Sequence, residues 1–176
     1  MAIVSPFTII RGLSVFHLTL GFFFLTSPDA ITNQNIVFLL GEAMKLPHIR
    51  FDSPSPATAF IAVALGLLGV SDLTAASMAD EVALPYWMSQ CPIRLLFLFA
   101  VTGYTYVFKK GGLFAAAGNT NVASGPGENL KNSMVFTWGF LELAAWFWVF
   151  LSLRDERRQA AVRILERRKA DSGSMR

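Results

Sequence analysis

Residues 91–110 read CPIRLLFLFAVTGYTYVFKK. Between Pro92 and Phe108 the run suits hydrocarbon, except for Arg94 near its start. A helix across a bilayer core needs about 20 mostly apolar residues. The stretch therefore predicts a short span over 92–108, lengthened by Lys109 and Lys110 reaching for the interface. Counting it as a span makes the number of crossings even and puts both chain ends on one side.

Three further segments, 6–26, 56–77 and 132–153, meet the same criterion. The predicted fold is all-α: a polytopic four-helix transmembrane bundle over residues 1–153, followed by a basic tail over 154–176. Ser5-Pro6 and Ser55-Pro56 read as helix starts, a capping hydroxyl before a proline at the first helical position. Cys91-Pro92 reads as a weaker start of the same kind, and Asn132-Ser133 as a cap without proline. The first span has no basic residue ahead of Arg11 and a long apolar run, which favours a retained helix over a cleaved signal peptide.

The stretch 31–46, ITNQNIVFLLGEAMKL, is too short and too polar to cross. It predicts an interfacial or re-entrant helix ending at Pro47. Residues 111–129 are rich in Gly, Ala, Asn and Ser and read as a loop.

Composition supports a membrane protein: 53% of residues are hydrophobic and 15% are charged, against roughly 25% charged in soluble chains. The charge is also segregated. Eight of the 15 Lys and Arg lie after residue 153. The positive-inside rule then places the C-terminus in the cytosol, and with four spans the N-terminus as well. The tail reads as a solvated basic continuation of the fourth helix, with no nucleic-acid role.

Five ionisable residues fall inside the spans: Arg11, His17, Asp72, Arg94 and Glu142. Such groups are costly in a bilayer and are normally paired or functional. Arg11, Asp72 and Arg94 share a depth band towards the cytosolic side. The second and third spans are antiparallel neighbours, so Asp72 and Arg94 are placed to form an ion pair, with Arg11 a rival for Asp72. Glu142 is near mid-span, and His17 reaches a similar depth. Ser14, His17 and Gly21 share one face of the first helix, while Arg11 points roughly 120° away from His17. Ala62 and Gly66 have the small-xxx-small spacing of helix contacts.

The lone Cys91 rules out an intrachain disulfide, and no zinc spacing is present. No phosphate-binding loop, dinucleotide fingerprint, metalloprotease motif or nucleophile elbow occurs. No catalytic residue, metal or cofactor is expected.

Several short motifs occur in a fixed order: GEAMKLP (41–47), GVSDL (69–73), PIRLLFLF (92–99), NSMVF (132–136) leading to Glu142, and RDER (154–157). In this the chain resembles the fungal "increased loss of mitochondrial DNA" family of small multi-pass membrane proteins, over roughly residues 7–160. The motif positions carried over are Glu42, Leu46, Pro47, Asp72, Arg94 and Glu142, none with a defined role. The resemblance implies an endoplasmic reticulum membrane location and an indirect part in mitochondrial DNA maintenance. It also implies links to peroxisomes and growth on fatty acids, and a suggested role in potassium movement.

The expected function is thus that of a non-enzymatic reticulum membrane protein supporting organelle homeostasis. Its partners would be the lipid bilayer, further copies of itself or other membrane proteins. The alternatives are an oligomeric potassium channel and, with less to support it, a membrane-embedded lipid-acting enzyme.

Overall fold

A computed structural model describes residues 5–109 and 127–174, with side chains described as far as Glu166. The described part is helical and carries no strand. Its α-helices are α1 (Pro6–Thr26), α2 (Asp29–Thr32), α3 (Asn35–Ala43), α4 (Pro56–Ala75), α5 (Asp80–Val107) and α6 (Ser133–Ser174), with a short 3-10 turn at Glu128–Leu130 before α6. Lys110 and most of the expected 111–129 loop lie outside the described residues.

Local chemistry explains most of the starts. Ser55 accepts from the Thr58 amide while Thr58 returns the bond to the Ser55 amide, a capping box ahead of Pro56. Asn132 Oδ1 accepts from the Val135 amide at 2.9 Å and caps α6. Ser5 sits in extended backbone before Pro6, but its side chain makes no cap.

Cys91-Pro92 does not start a helix. α5 begins at Asp80, twelve residues earlier, and runs through both Pro85 and Pro92. Asp80 and Glu81 favour the positive end of the helix dipole. Ala83, Trp87, Cys91, Leu98, Thr102 and Thr105 are buried along one stripe. Burial at steps of three, four and seven residues crosses both prolines, so packing outweighs the two lost backbone donors.

The 31–46 stretch breaks into α2 and α3 rather than one helix. At 1.5 Å per residue the nine residues of α3 cover only about 13 Å, well short of a bilayer core of about 30 Å. α3 stops before Pro47. Lys45 adopts φ 51°, the Leu46 amide donates to Gly41 O and the Lys45 amide to Glu42 O. This is a Schellman ending, with Leu46 tucked inside. Pro47 O then accepts from the Ser133 amide at 3.0 Å, so GEAMKLP ends α3 and seats the start of α6.

α1 packs mainly on α4 and α5 mainly on α6, while α1 and α3 also contact α6. Both main pairs are antiparallel. Along α1–α4, Gly21 lies against Ala62 and Gly69 against Ser14. The small-residue contact therefore includes Gly69 as well as Ala62, with Gly66 beside it. Along α5–α6, Trp87 stacks on Trp146 and Gly139 lies against Thr102. One core cluster unites Ile10 of α1, Ala75 of α4, Trp87 and Cys91 of α5, and Trp146 and Val149 of α6.

α1, α4 and α6 are long and apolar enough to cross a membrane. α5, with 28 residues, spans roughly 42 Å, but its opening DEVALPYWMSQ is more polar. α6 is one continuous helix into the tail, and between Arg154 and Glu166 it is exposed apart from a few half-covered positions.

A Cβ at Gly69 would sit 2.8 Å from Ser14 O, whereas one at Gly66 meets nothing within 4 Å. Gly69→Val should therefore cost about 1–3 kcal/mol of stability through overpacking, while Gly66→Ala should change little. Thermal unfolding in a mild detergent reads both.

Candidate functional site

The charged and polar residues of the helices converge on one chain of contacts. Asp72 lies one turn before the end of α4 and is buried. Both of its carboxylate oxygens accept from the Arg94 guanidinium, each at 2.6 Å, in a two-pronged pair. Arg94 is part-buried four turns into α5, not at its start, because α5 extends past the end of α4.

Two aromatic faces complete the setting of Arg94. Its guanidinium carbon lies 4.6 Å from the Trp146 ring centre and 5.2 Å from that of Trp87. The two indoles stack at 5.5 Å and 28°. A cation over indole gains about 0.5–2 kcal/mol, most when water is excluded.

From Trp146 the chain continues inward. Its Nε1–H donates to Glu142 Oε2 at 2.9 Å, one helical turn away on α6. Glu142 Oε1 meets His17 Nε2 of α1 at 2.8 Å. Glu142 and His17 are both buried. The network Asp72–Arg94–Trp146–Glu142–His17 thus takes one or more side chains from each of α4, α5, α6 and α1. Trp87 Nε1 and His17 Nδ1 are buried beside it without hydrogen-bond partners.

Arg11 stands apart. It donates to Ala76 O at 2.9 Å, satisfying a helix-end carbonyl at the C-cap of α4. It therefore does not compete for Asp72. Ser14, His17 and Gly21 share the buried face of α1. Of the motif positions near α3, Leu46 is buried, Pro47 receives the α6 amide and Glu42 is exposed.

The tryptophans were not evident as members of this site. Trp87 lies outside the 92–108 segment, and Trp146 reads equally well as an interfacial anchor. The available signal was the seven-residue spacing of Trp87, Arg94 and Val101, which continues the buried stripe backwards through Pro92. Among the described residues, no cluster of three or more His, Cys, Asp or Glu could hold a metal.

Arg94→Ala and Asp72→Ala should each destabilise the protein, and the double variant should cost less than their sum by about 1 kcal/mol or more. Arg94→Lys should not restore the wild-type value, because lysine loses both the fork and the stacking. Trp146→Phe keeps an aromatic face but leaves Glu142 Oε2 without its donor. The expected loss is about 1–3 kcal/mol, read by denaturation in detergent.

The family model described as "Increased loss of mitochondrial DNA protein 1" matches residues 4–163. Protein ILM1 of Saccharomyces cerevisiae is 25% identical over 149 residues, covering 85% of this chain and 64% of that protein. Protein ilm1 of Schizosaccharomyces pombe is 24% identical over 141 residues, covering 78% of this chain and 73% of that one. The chain thus spans a little under two thirds of the budding-yeast relative. No solved structure matches. The family match covers every helix of the network, and the chain belongs to the increased loss of mitochondrial DNA protein 1 family.

Proposed function

We propose that this chain is a non-enzymatic, multi-pass membrane protein of the endoplasmic reticulum. In this reading α1, α4, α5 and α6 all span, both termini are cytosolic, and the protein acts by assembling with lipid or with other membrane proteins. It would support organelle homeostasis, with an indirect effect on mitochondrial DNA maintenance in keeping with the family name.

One observation carries this reading: the ionisable groups Asp72, Arg94, His17 and Glu142 between the helices are spent on one another. Asp72 and Arg94 neutralise each other, and Glu142 is held by His17 and Trp146. Groups used this way fix helix positions rather than present reactive atoms. The outward faces are the reverse, with large apolar side chains such as Phe60 and Leu67 on α4 and Leu96 and Phe99 on α5 exposed. The pairing geometry supports counting α5 as a fourth span. α5 runs antiparallel to α6 along its length, and Arg94 is level with Asp72.

The second reading is an oligomeric potassium channel, favoured by a carboxylate and an imidazole deep between α1 and α6. It would require Glu142 to leave its partners or a second copy to open a path.

Two measurements separate the readings. The full chain, purified in mild detergent, is expected to carry bound lipid or partner protein; a bare monomer would overturn the assembly reading. In a planar bilayer with potassium salt, the assembly reading expects no current. A current abolished by Glu142→Gln would establish the channel instead.

A further inference from the structure

A cavity of about 750 Å³ lies between α1, α4, the start of α6 and the α2–α3 segment. Its walls are largely apolar, formed by residues such as Phe24, Ile31, Ile61 and Leu65. The volume falls within the range of about 300–1,000 Å³ typical of ligand pockets. Apolar cavities of this kind stay dry or take up apolar guests rather than ordered water.

The wall formed by α6 is different. Thr137 lines the cavity, is 3% exposed, and its hydroxyl has no hydrogen-bond partner. Trp138 lines it too, and its indole N–H is buried without an acceptor. Each is a donor with nothing to donate to, an arrangement that costs about 1–3 kcal/mol per group. The guest that fits is therefore mostly hydrocarbon with an oxygen acceptor.

Depth narrows the chemistry. Thr137 is the fifth residue of α6, roughly 6 Å along the helix from its start. With α6 crossing a bilayer, that is just inside the boundary where a glycerolipid carries its ester carbonyls. At the same end, exposed Arg50 lies between Ile49 and Phe51, both of which line the cavity. A guanidinium there complements a lipid phosphate.

We propose that this cavity is a lipid site. It takes one acyl chain of a glycerophospholipid, with an ester carbonyl accepting from Thr137 or Trp138 and the phosphate near Arg50. The site rests on the reading that these helices span a membrane, and the test separates the two.

The full chain is reconstituted in phosphatidylcholine vesicles containing a small fraction of phosphatidylcholine with a diazirine in one acyl chain. After irradiation, labelled residues are mapped by mass spectrometry. Label is expected to concentrate on Phe24, Ile61 and Leu65 over Val63 and Leu67, which are exposed and lie outside the cavity lining. Ala64→Trp, which fills the cavity from α4, should reduce label at Leu65 to the level of Leu67. Thr137→Val preserves shape and removes the donor, and should lower the excess without abolishing label on outward faces. Label on Val63 and Leu67 with no excess inside would overturn the site and leave the membrane reading standing. No label on any helix would overturn both. An excess unchanged in both variants would overturn the site as drawn.

Discussion

Arg94 needs an anion and a dry face at the same time, and the arrangement of the long helices follows from meeting both needs. Asp72 supplies the anion from α4, and the stacked indoles of Trp87 and Trp146 supply the faces from α5 and α6. A guanidinium suits this place because it is flat, weakly hydrated and forked. It can bind a carboxylate along its edge and stack on indole across its plane. The pair reaches from α5 to α4, two helices whose main packing partners are α6 and α1. One polar contact therefore joins two antiparallel helix pairs that are otherwise held together chiefly along α1 and α6.

The second joint between the pairs is His17–Glu142, and Trp146 links the two joints. Its ring faces Arg94 while its N–H holds Glu142. Within a proposed bilayer there is little hydrophobic drive between helices, because lipid tails are as apolar as the side chains. Close backbone approach and internal hydrogen bonds then decide which helices meet. Both are present here, at Gly69 against Ser14 and Gly139 against Thr102, and in the polar chain itself. In the cavity beside α6 the buried donors of Thr137 and Trp138 keep no internal acceptor, and the lipid site proposed for it would supply one.

Much of this was legible in the chain order of residues. Hydropathy located α1, α4 and α6 to within a few residues at their starts, because a long apolar run leaves few other structures open to the backbone. Charge depth brought Asp72 and Arg94 to one level, and Glu142 and His17 to another. The start of α5 was not legible. Pro85 and Pro92, with Asp80 and Glu81, look like a loop, and only burial of Ala83, Trp87 and Cys91 against α6 makes them helix. The break between α2 and α3 was hidden for the opposite reason, since ITNQNIVFLLGEAMKL looks continuous while its turns depend on local backbone bonds.

The sequence by itself determined that the chain is helical, that the segments of α1, α4 and α6 are apolar enough to cross a membrane, and that the ionisable groups inside the helices need partners. Those conclusions rest on local composition and on the high cost of an unpaired charge in a low-dielectric surrounding, and neither depends on which helix stands beside which. Tertiary structure decided the partners. Arg11 turned to a helix-end carbonyl and left Asp72 to Arg94. Trp146, which reads as an interfacial anchor, became the link between Arg94 and Glu142, and Trp87 a second face for Arg94. Side-chain direction across a helix interface depends on rotation and crossing, which are set by the sum of many contacts and are written in no single stretch of residues.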